Sequence, residues 1–188
     1  MKGEGEFLGK FSDRKKVEIW NKFMALCITF RHIESGVHDD KIDFSRVEFR
    51  RAKFQGIDFR GVIFYHAVFY EADLRGANFS YPSCDTTDFG GANLSSADFT
   101  HAYLIRLSFM GANCSRANLR GARLGYTNCS LADFKNADLT LADLRDTNFW
   151  RADLRNAIIS SDYVSSARFS DTKVAGTSLE GKKVPGTI

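Results

Sequence analysis

The sequence predicts an all-β solenoid, a chain wound into stacked square coils, and three observations carry that reading. From Phe44 onward every fifth residue through Val184 is apolar: 13 Phe, 9 Leu, 3 Val, 3 Cys and 1 Ile fill 29 positions without an insertion. At 44% hydrophobic content, such a run would arise by chance on the order of 10⁻¹⁰ of the time. Two residues before each of these centres runs a smaller series, with 16 Ala and 5 Thr among 29. The positions between and after hold mainly Asp, Asn, Arg, Ser, Thr and Gly. A helix repeats at 3.6 residues and a strand at 2, so neither produces a period of five. One large and one small inward residue in five suit one side of a square whose corners need small or turn-forming residues, such as Gly56, Gly76, Gly91, Gly111 and Gly121. Four sides make a coil of 20, and residues 42–181 hold seven coils. Units that bury their faces only by stacking form a solenoid, here ~34 Å long at a ~4.8 Å strand spacing.

The elements follow in chain order. Residues 1–41 form an N-terminal segment in which 13–33 read as a helix: Val17, Trp20, Phe23, Met24, Cys27 and Phe30 give a broad apolar face, and Ser12 suits the N-cap. A rod of coils leaves open strand edges at its ends, so this helix is assigned as the N-terminal α-helical cap. Residues 42–184 are the repeat region and 185–188 a short tail. Toward the C-terminus the pattern decays, with Asp162 and Lys182 at inward small-residue positions. The last coil, with Val164, Phe169, Val174 and Leu179 at its centres, is therefore expected to be exposed unless two chains meet there, or unless Pro185 and Gly186 blunt the edge.

The segments "ADLRG" (72–76), "ANLSS" (92–96), "ADFTH" (97–101), "ANLRG" (117–121), "ADFKN" (132–136) and "ADLRD" (142–146) resemble the pentapeptide-repeat proteins, whose motif is A-(D/N)-(L/F)-x-x. The resemblance covers about three quarters of the chain. It implies a right-handed quadrilateral parallel β-helix of about seven coils. Some members dimerise through their C-terminal ends, so the resemblance makes Val164, Phe169, Val174 and Leu179 a candidate dimer end. It also implies a bacterial, cytoplasmic setting.

Residues 20 apart stack on one face, which sorts the outward positions. The face built on 42–46 and its 20-residue repeats exposes Ile63, Tyr65, Tyr103, Ile105, Tyr126 and Tyr163 among Arg46, Arg106, Arg123 and Arg145. The next face adds Val68, Tyr70, Met110, Leu131, Trp150 and Arg151. The opposite two faces expose mainly Asp, Asn, Ser, Thr and Arg, with Tyr81, Leu141 and Ile158 as exceptions. Tyr, Trp and Arg together are the composition of interface hot spots, so Tyr65, Tyr70, Tyr103, Ile105, Arg106, Tyr126, Arg145, Trp150 and Arg151 are the candidate partner-binding residues. Stacking of Tyr on Tyr along the ladder would explain the same residues structurally. On the polar side Asp58, Asn78, Asp98, Asn118 and Asp138 alternate, a pattern read as structural, with amides spacing and bridging carboxylates that would otherwise repel.

Other chemistries find little support. The four histidines lie far apart and no His/Cys cluster has metal spacing, so no metal or cofactor is expected. Cys84, Cys114 and Cys129 replace Phe or Leu at inward positions and are assigned to the core. The apolar run 23–30 is too short to span a bilayer, and no export signal is read. A convex rod offers no cleft for a catalytic carboxylate pair, so an enzyme is not expected. The net charge of +3 gives no general basis for nucleic-acid binding, and arginines such as Arg50, Arg60, Arg120 and Arg155 are spread over several faces with acids between them. Two functions stand: an interaction scaffold for an unidentified protein partner, and, from the resemblance, a DNA mimic that modulates DNA gyrase in the manner of quinolone-resistance proteins. The second needs a dense acidic surface. Residues 42–188 carry 18 basic and 16 acidic residues, and the uninterrupted register lacks the loop insertions of that class, so the scaffold is favoured.

Overall fold

The structure is a computed structural model, and it describes residues 43–160 and 163–181. The helix expected over 13–33 and the tail 185–188 lie outside the described residues. Within them the chain forms a square parallel β-solenoid. Each side contributes one bridging residue, and every bridge joins residues 20 apart, as in Asp43↔Ile63, Glu48↔Val68, Lys53↔Asp73 and Asp58↔Asn78. These four series define faces 1 to 4, beginning with residues 43–46, 47–51, 52–56 and 57–61. Coils 1 to 7 begin at 42, 62, 82, 102, 122, 142 and 162.

The bridges are held by a repeating bond set. The amide at each centre donates to the next coil, as Phe64 does to the Ser83 carbonyl at 2.9 Å and Leu94 to that of Asn113 at 2.7 Å. The amide just before the centre donates backward, as Asn93 does to Ala72 at 2.8 Å. At each corner the centre's carbonyl accepts from the amide three residues on, for instance Ala77 to Leu74 at 3.0 Å. The residue before that amide has φ near +60°, the combination that marks a type II turn. Glycine occupies only eight of these corners, and 18 non-glycine residues take the left-handed conformation, among them Tyr81, Tyr126, Leu131 and Leu141.

The period of five is one large side chain per face, aimed at the axis. Ten phenylalanines, from Phe59 to Phe169, are fully buried. Along a face they stack ring on ring: Phe59–Phe79 at 4.9 Å, Phe79–Phe99 at 5.0 Å and Phe149–Phe169 at 5.3 Å between centroids. Between faces they meet edge to face, as Phe79 meets Phe89 at 5.5 Å. Both are favoured aromatic geometries. The small series closes the gaps between these rings. Where threonine replaces alanine, its hydroxyl finds a carbonyl one coil back: Thr87 donates to Phe64 at 2.6 Å and Thr147 to Leu124 at 2.8 Å, while Thr127 donates to Leu104. Cys84, Cys114 and Cys129 are free and fully buried, and burial pushes their thiols well above the ordinary range. They serve as small apolar side chains, as expected.

Two expectations are corrected. Among the described residues, the amides of the Asp/Asn ladder on face 4 make no bond to a carboxylate one coil away. Each side chain instead accepts from the amide two residues on, Arg60 to Asp58 at 3.1 Å, Ser80 to Asn78 at 2.9 Å and Thr140 to Asp138 at 2.9 Å. That local bond stiffens the corner and competes successfully with the longer reach between coils. The second correction concerns the last coil. Phe169 is fully buried and Leu179 is 3% exposed, with Val164 and Val174 partly buried against the core. The chain leaves the square path in consecutive turns over 175–181, in which the Ser178 hydroxyl donates to the Ile159 carbonyl at 2.6 Å and Glu180 accepts from the Gly176 amide at 2.8 Å. Leu179 is carried inward with Phe169, and Val164 and Val174 are the centres of this coil left partly exposed.

Candidate functional site

The square section decides what reaches solvent. At every repeat, the residue before the centre, the residue after it and the corner residue face outward. Faces 1 and 2 place Tyr65, Tyr70, Tyr103, Met110, Tyr126, Leu131, Trp150 and Tyr163 in solvent, and they account for most of the large exposed hydrophobics among the described residues. Ile105, also predicted here, is half-buried between its neighbours, and Arg106 is exposed at the following corner.

The arginines of this side lie over its aromatic rings. The Arg123 guanidinium sits 4.7 Å from the Tyr103 centroid, Arg145 5.0 Å from Tyr163, Arg151 4.5 Å from Trp150 and Arg50 5.9 Å from Tyr70. Register explains the first and last pair, since residues 20 apart are neighbours on adjacent coils. Stacking of Tyr on Tyr, the structural explanation for these residues, is not what the rings do here. The contacts pre-order arginine side chains that would otherwise lose rotamer freedom on binding. Three of these arginines are also neutralised in place: Arg145 binds Asp143 at 2.5 Å, Arg50 binds Glu48 at 3.2 Å, and Arg151 lies 3.6 Å from Asp171.

One part of the surface was misplaced by sequence sorting. Tyr81 and Leu141, taken as exceptions on the polar side, are corner residues between face 4 and face 1, 67% and 65% exposed. They border the aromatic side and extend it. Tyr81 packs on His101 at 5.5 Å between ring centroids, and His101 leans over Gly121, where a Cβ would meet its Nδ1 at 2.5 Å. Position modulo five was legible in the sequence, but which wall a corner residue serves is a matter of geometry. Ile158, 57% exposed on face 4, does lie on the polar side.

Faces 3 and 4 present a different chemistry, built on Asp and Arg two residues apart. Arg60 binds Asp58 at 2.7 Å, Arg75 binds Asp73 at 2.8 Å and Arg155 binds Asp153 at 2.7 Å. The guanidinium bonds hold the carboxyls of Asp58 and Asp153, and that of Asp143 in the same arrangement on face 1, below the usual carboxylate range. At Asp73 burial opposes ionisation, but donors from Arg75 and Gln55 outweigh it, and its pKa is also lowered. A shallow depression of about 370 Å³ on face 3 is lined by Ser95, Ser115, Arg116, Asp133 and Lys135. Another, of about 260 Å³, lies beside Tyr126 with Asp146, Asn148 and Arg168. Among the described residues, no group of three or more His, Cys, Asp and Glu is placed to hold a metal ion, and no helix is long and apolar enough to cross a membrane.

The family model for pentapeptide repeats matches residues 42–80, 87–125, 112–151 and 124–160, in eight copies. The chain belongs to the pentapeptide-repeat family. Its members form right-handed β-helix solenoids, which fits the bridges between residues 20 apart. Among solved structures, it is similar to HetL of the cyanobacterium Nostoc sp. strain PCC 7120, a pentapeptide repeat protein involved in heterocyst differentiation regulation. Identity is 20% over 79% of this chain and 90% of that one, with a TM-score of 0.35. Full-length QnrB1, a plasmid-mediated fluoroquinolone resistance protein, is 15% identical over 79% of this chain and 91% of its own, with a TM-score of 0.39. Rfr23 of the cyanobacterium Cyanothece 51142 is 18% identical over 72% and 82%, with a TM-score of 0.30. At these values the likenesses carry no argument about function or partner. No curated protein matches the sequence.

Proposed function

We propose that this pentapeptide-repeat protein is a non-enzymatic scaffold that binds a protein partner through its aromatic side. The observation that carries the reading is the set of guanidinium groups lying over exposed Tyr103, Tyr163 and Trp150. Large amphipathic rings and pre-ordered arginines concentrate binding energy at little entropic cost. The rod supplies the rest: a stiff core fixes their spacing along ~34 Å.

Acidic mimicry of DNA is disfavoured by the same structure. Asp58, Asp73, Asp133 and Asp153 are paired in place with Arg60, Arg75, Lys135 and Arg155. The acids of these faces without a cation among the described residues, Asp98 and Asp138, stand two coils apart with Asn118 between them, so no continuous negative wall is left to compete for a basic groove.

The test is retention of interacting proteins on the immobilised chain, compared between wild type and the double variant Tyr103→Ala/Tyr126→Ala, with Arg75→Ala on the polar side as control. Hot-spot residues cost about 2 kcal/mol or more when truncated, so at least a ~30-fold loss is expected for the double variant and none for the control. Equal retention by the double variant, with unchanged folding, would refute the aromatic side as the binding surface.

A further inference from the structure

One acid on the aromatic side stands outside the rule that governs most of the others. Most carboxylates in the repeat stand just before a centre, where the amide two residues on reaches them, as Lys135 reaches Asp133 at 2.9 Å and Arg145 reaches Asp143 at 3.2 Å. Asp85 stands just after the centre Cys84, in a row occupied elsewhere mainly by Arg, Ser, Thr and Tyr. The turn geometry therefore provides no amide for it. Its Oδ1 is the one buried side-chain polar atom among the described residues that has no hydrogen-bond partner. Such an atom in a native fold needs a reason, since a buried acceptor left without a donor is destabilising.

The backbone around Asp85 is also less completely bonded than the regular corners. Pro82 occupies the inward small position and has no amide to close the corner onto the Phe79 carbonyl, as Ala77 and Ala97 do at 3.0 Å for Leu74 and Leu94. The Ser83 amide does not reach the Val62 carbonyl among the described residues, although Asp88 and Asn93 make the equivalent bonds at 2.9 and 2.8 Å. Phe64 still donates to the Ser83 carbonyl at 2.9 Å and Cys84 to that of Tyr103 at 3.1 Å, but three neighbouring bonds are longer: His66 to Asp85 at 3.4 Å, Tyr103 to Pro82 at 3.3 Å and Thr86 to Ile105 at 3.2 Å. His66 faces Thr86 at 2.9 Å. Arg106, one coil on at the corner, makes no ion pair with Asp85 among the described residues.

Register puts this carboxylate between apolar side chains. Tyr65 is its neighbour one coil back and Ile105 one coil forward, with Tyr103 in the adjoining row and the small Ser83 beside it. Tyr65 and Tyr103 are 43% and 46% exposed. Along the rod axis their backbones are two coils, ~9.6 Å, apart. A flat cation in contact with both walls needs ~7 Å.

We infer that Asp85 is the anchor for an arginine side chain of the protein partner, inserted between Tyr65 and Tyr103 with its guanidinium on the carboxylate. Oδ1 is out of solvent contact in the free rod, so the guanidinium reaches it as neighbouring side chains change rotamer on binding. An unpaired carboxylate flanked by aromatic rings is then complementary to a planar cation, which satisfies the oxygen through N–H donors and stacks on the rings. The inference rests on the reading of the aromatic side as a docking surface and names what that surface receives.

The test is an NMR titration of the full chain with acetyl-Gly-Arg-Gly-amide and with the same peptide carrying citrulline, the neutral isostere of arginine. The arginine peptide is expected to shift Tyr65, Asp85, Ile105 and Tyr103 resonances, with the citrulline peptide at least tenfold weaker. Asp85→Asn is expected to lose at least tenfold in affinity while melting at the same or a higher temperature, because the carboxylate lacks an internal donor. Equal shifts from both peptides, unaltered binding by Asp85→Asn, or a fall of several degrees in its melting temperature would each overturn the assignment. So would a lysine peptide that binds as tightly as arginine. A flat titration removes the anchor alone, because the docking surface is judged separately by the Tyr103→Ala/Tyr126→Ala retention assay.

Discussion

Leu141→Gly is expected to stabilise this protein, against the usual result of truncating a leucine. Leu141 has φ of +58° and a side chain 65% exposed. An L-residue in the left-handed region costs about 1–2 kcal/mol, and glycine removes that cost while adding about 0.5–1 kcal/mol of backbone entropy to the unfolded chain. The net gain is about 0.5–1 kcal/mol, because the exposed side chain surrenders little burial. For a chain of this size that corresponds to a rise of about 1–4 °C in Tm. The reverse exchange, Gly76→Leu, tests the same term from the other side: Gly76 has φ of +63°, and a Cβ added there would meet nothing within 4 Å, so only backbone strain opposes it. Thermal unfolding followed by circular dichroism, at one scan rate and with reversibility checked, measures both. If Leu141→Gly melts lower than wild type, corner strain is not the governing term and the leucine side chain makes a stabilising contact.

Three further outcomes follow from the core and the surface. Phe79→Ala should cost about 3–5 kcal/mol, since the ring meets Phe59, Phe64, Phe69, Phe89 and Phe99; Phe169→Ala, whose one ring neighbour among the described residues is Phe149, should cost less, and denaturant titration ranks the two. Thr147→Val should lose about 0.5–1.5 kcal/mol with little change in volume, because the fully buried hydroxyl donates to the Leu124 carbonyl; the same titration reads it. Asp58, Asp143 and Asp153 have folded pKa values below their unfolded ones, so their contribution is present above about pH 4 and is lost as pH falls through the folded values. Melts from pH 7 to pH 2 should show that decline, and Asp153→Asn should flatten part of it.

The fold was legible because a solenoid writes its geometry into the chain with a single period. Phe134, Leu139 and Leu144 fall five apart, and each is fully buried on a successive face. No long-range pairing had to be guessed, since every bridge is a fixed 20 residues away. The candidate surface was legible for the same reason: sorting by position alone places Tyr65, Tyr103 and Tyr126 on one side. What escaped was everything that depends on angle and local chemistry. Tyr81 and Leu141 sit on a corner, which a linear sorting assigns to one wall although it borders two. Asp58 bonds its own corner amide instead of reaching an asparagine one coil away, because the nearer donor is always in place. Leu179 turns inward through a set of side-chain bonds that only this terminal sequence makes.

The same economy explains why the core says so little about the partner. In a globular domain a surface residue is constrained by the irregular packing beneath it, whereas here each outward side chain rests on an inward pair of one large and one small residue in the same geometry. Exchanging Tyr103 for another residue leaves Leu104 and Ala102 untouched, both fully buried. Outer residues are thus nearly free of the fold, and departures from the outer pattern carry information that the inner pattern cannot. Pro82 and Asp85 are such departures: the first gives up a corner bond and the second places an acid where the turn has no donor for it. Neither is explained by the stability of the rod, and both fall within one stretch of four residues on the side where the aromatic rings gather. On the proposed reading of the aromatic side, this stretch carries the feature for specific recognition that the repeat itself does not supply.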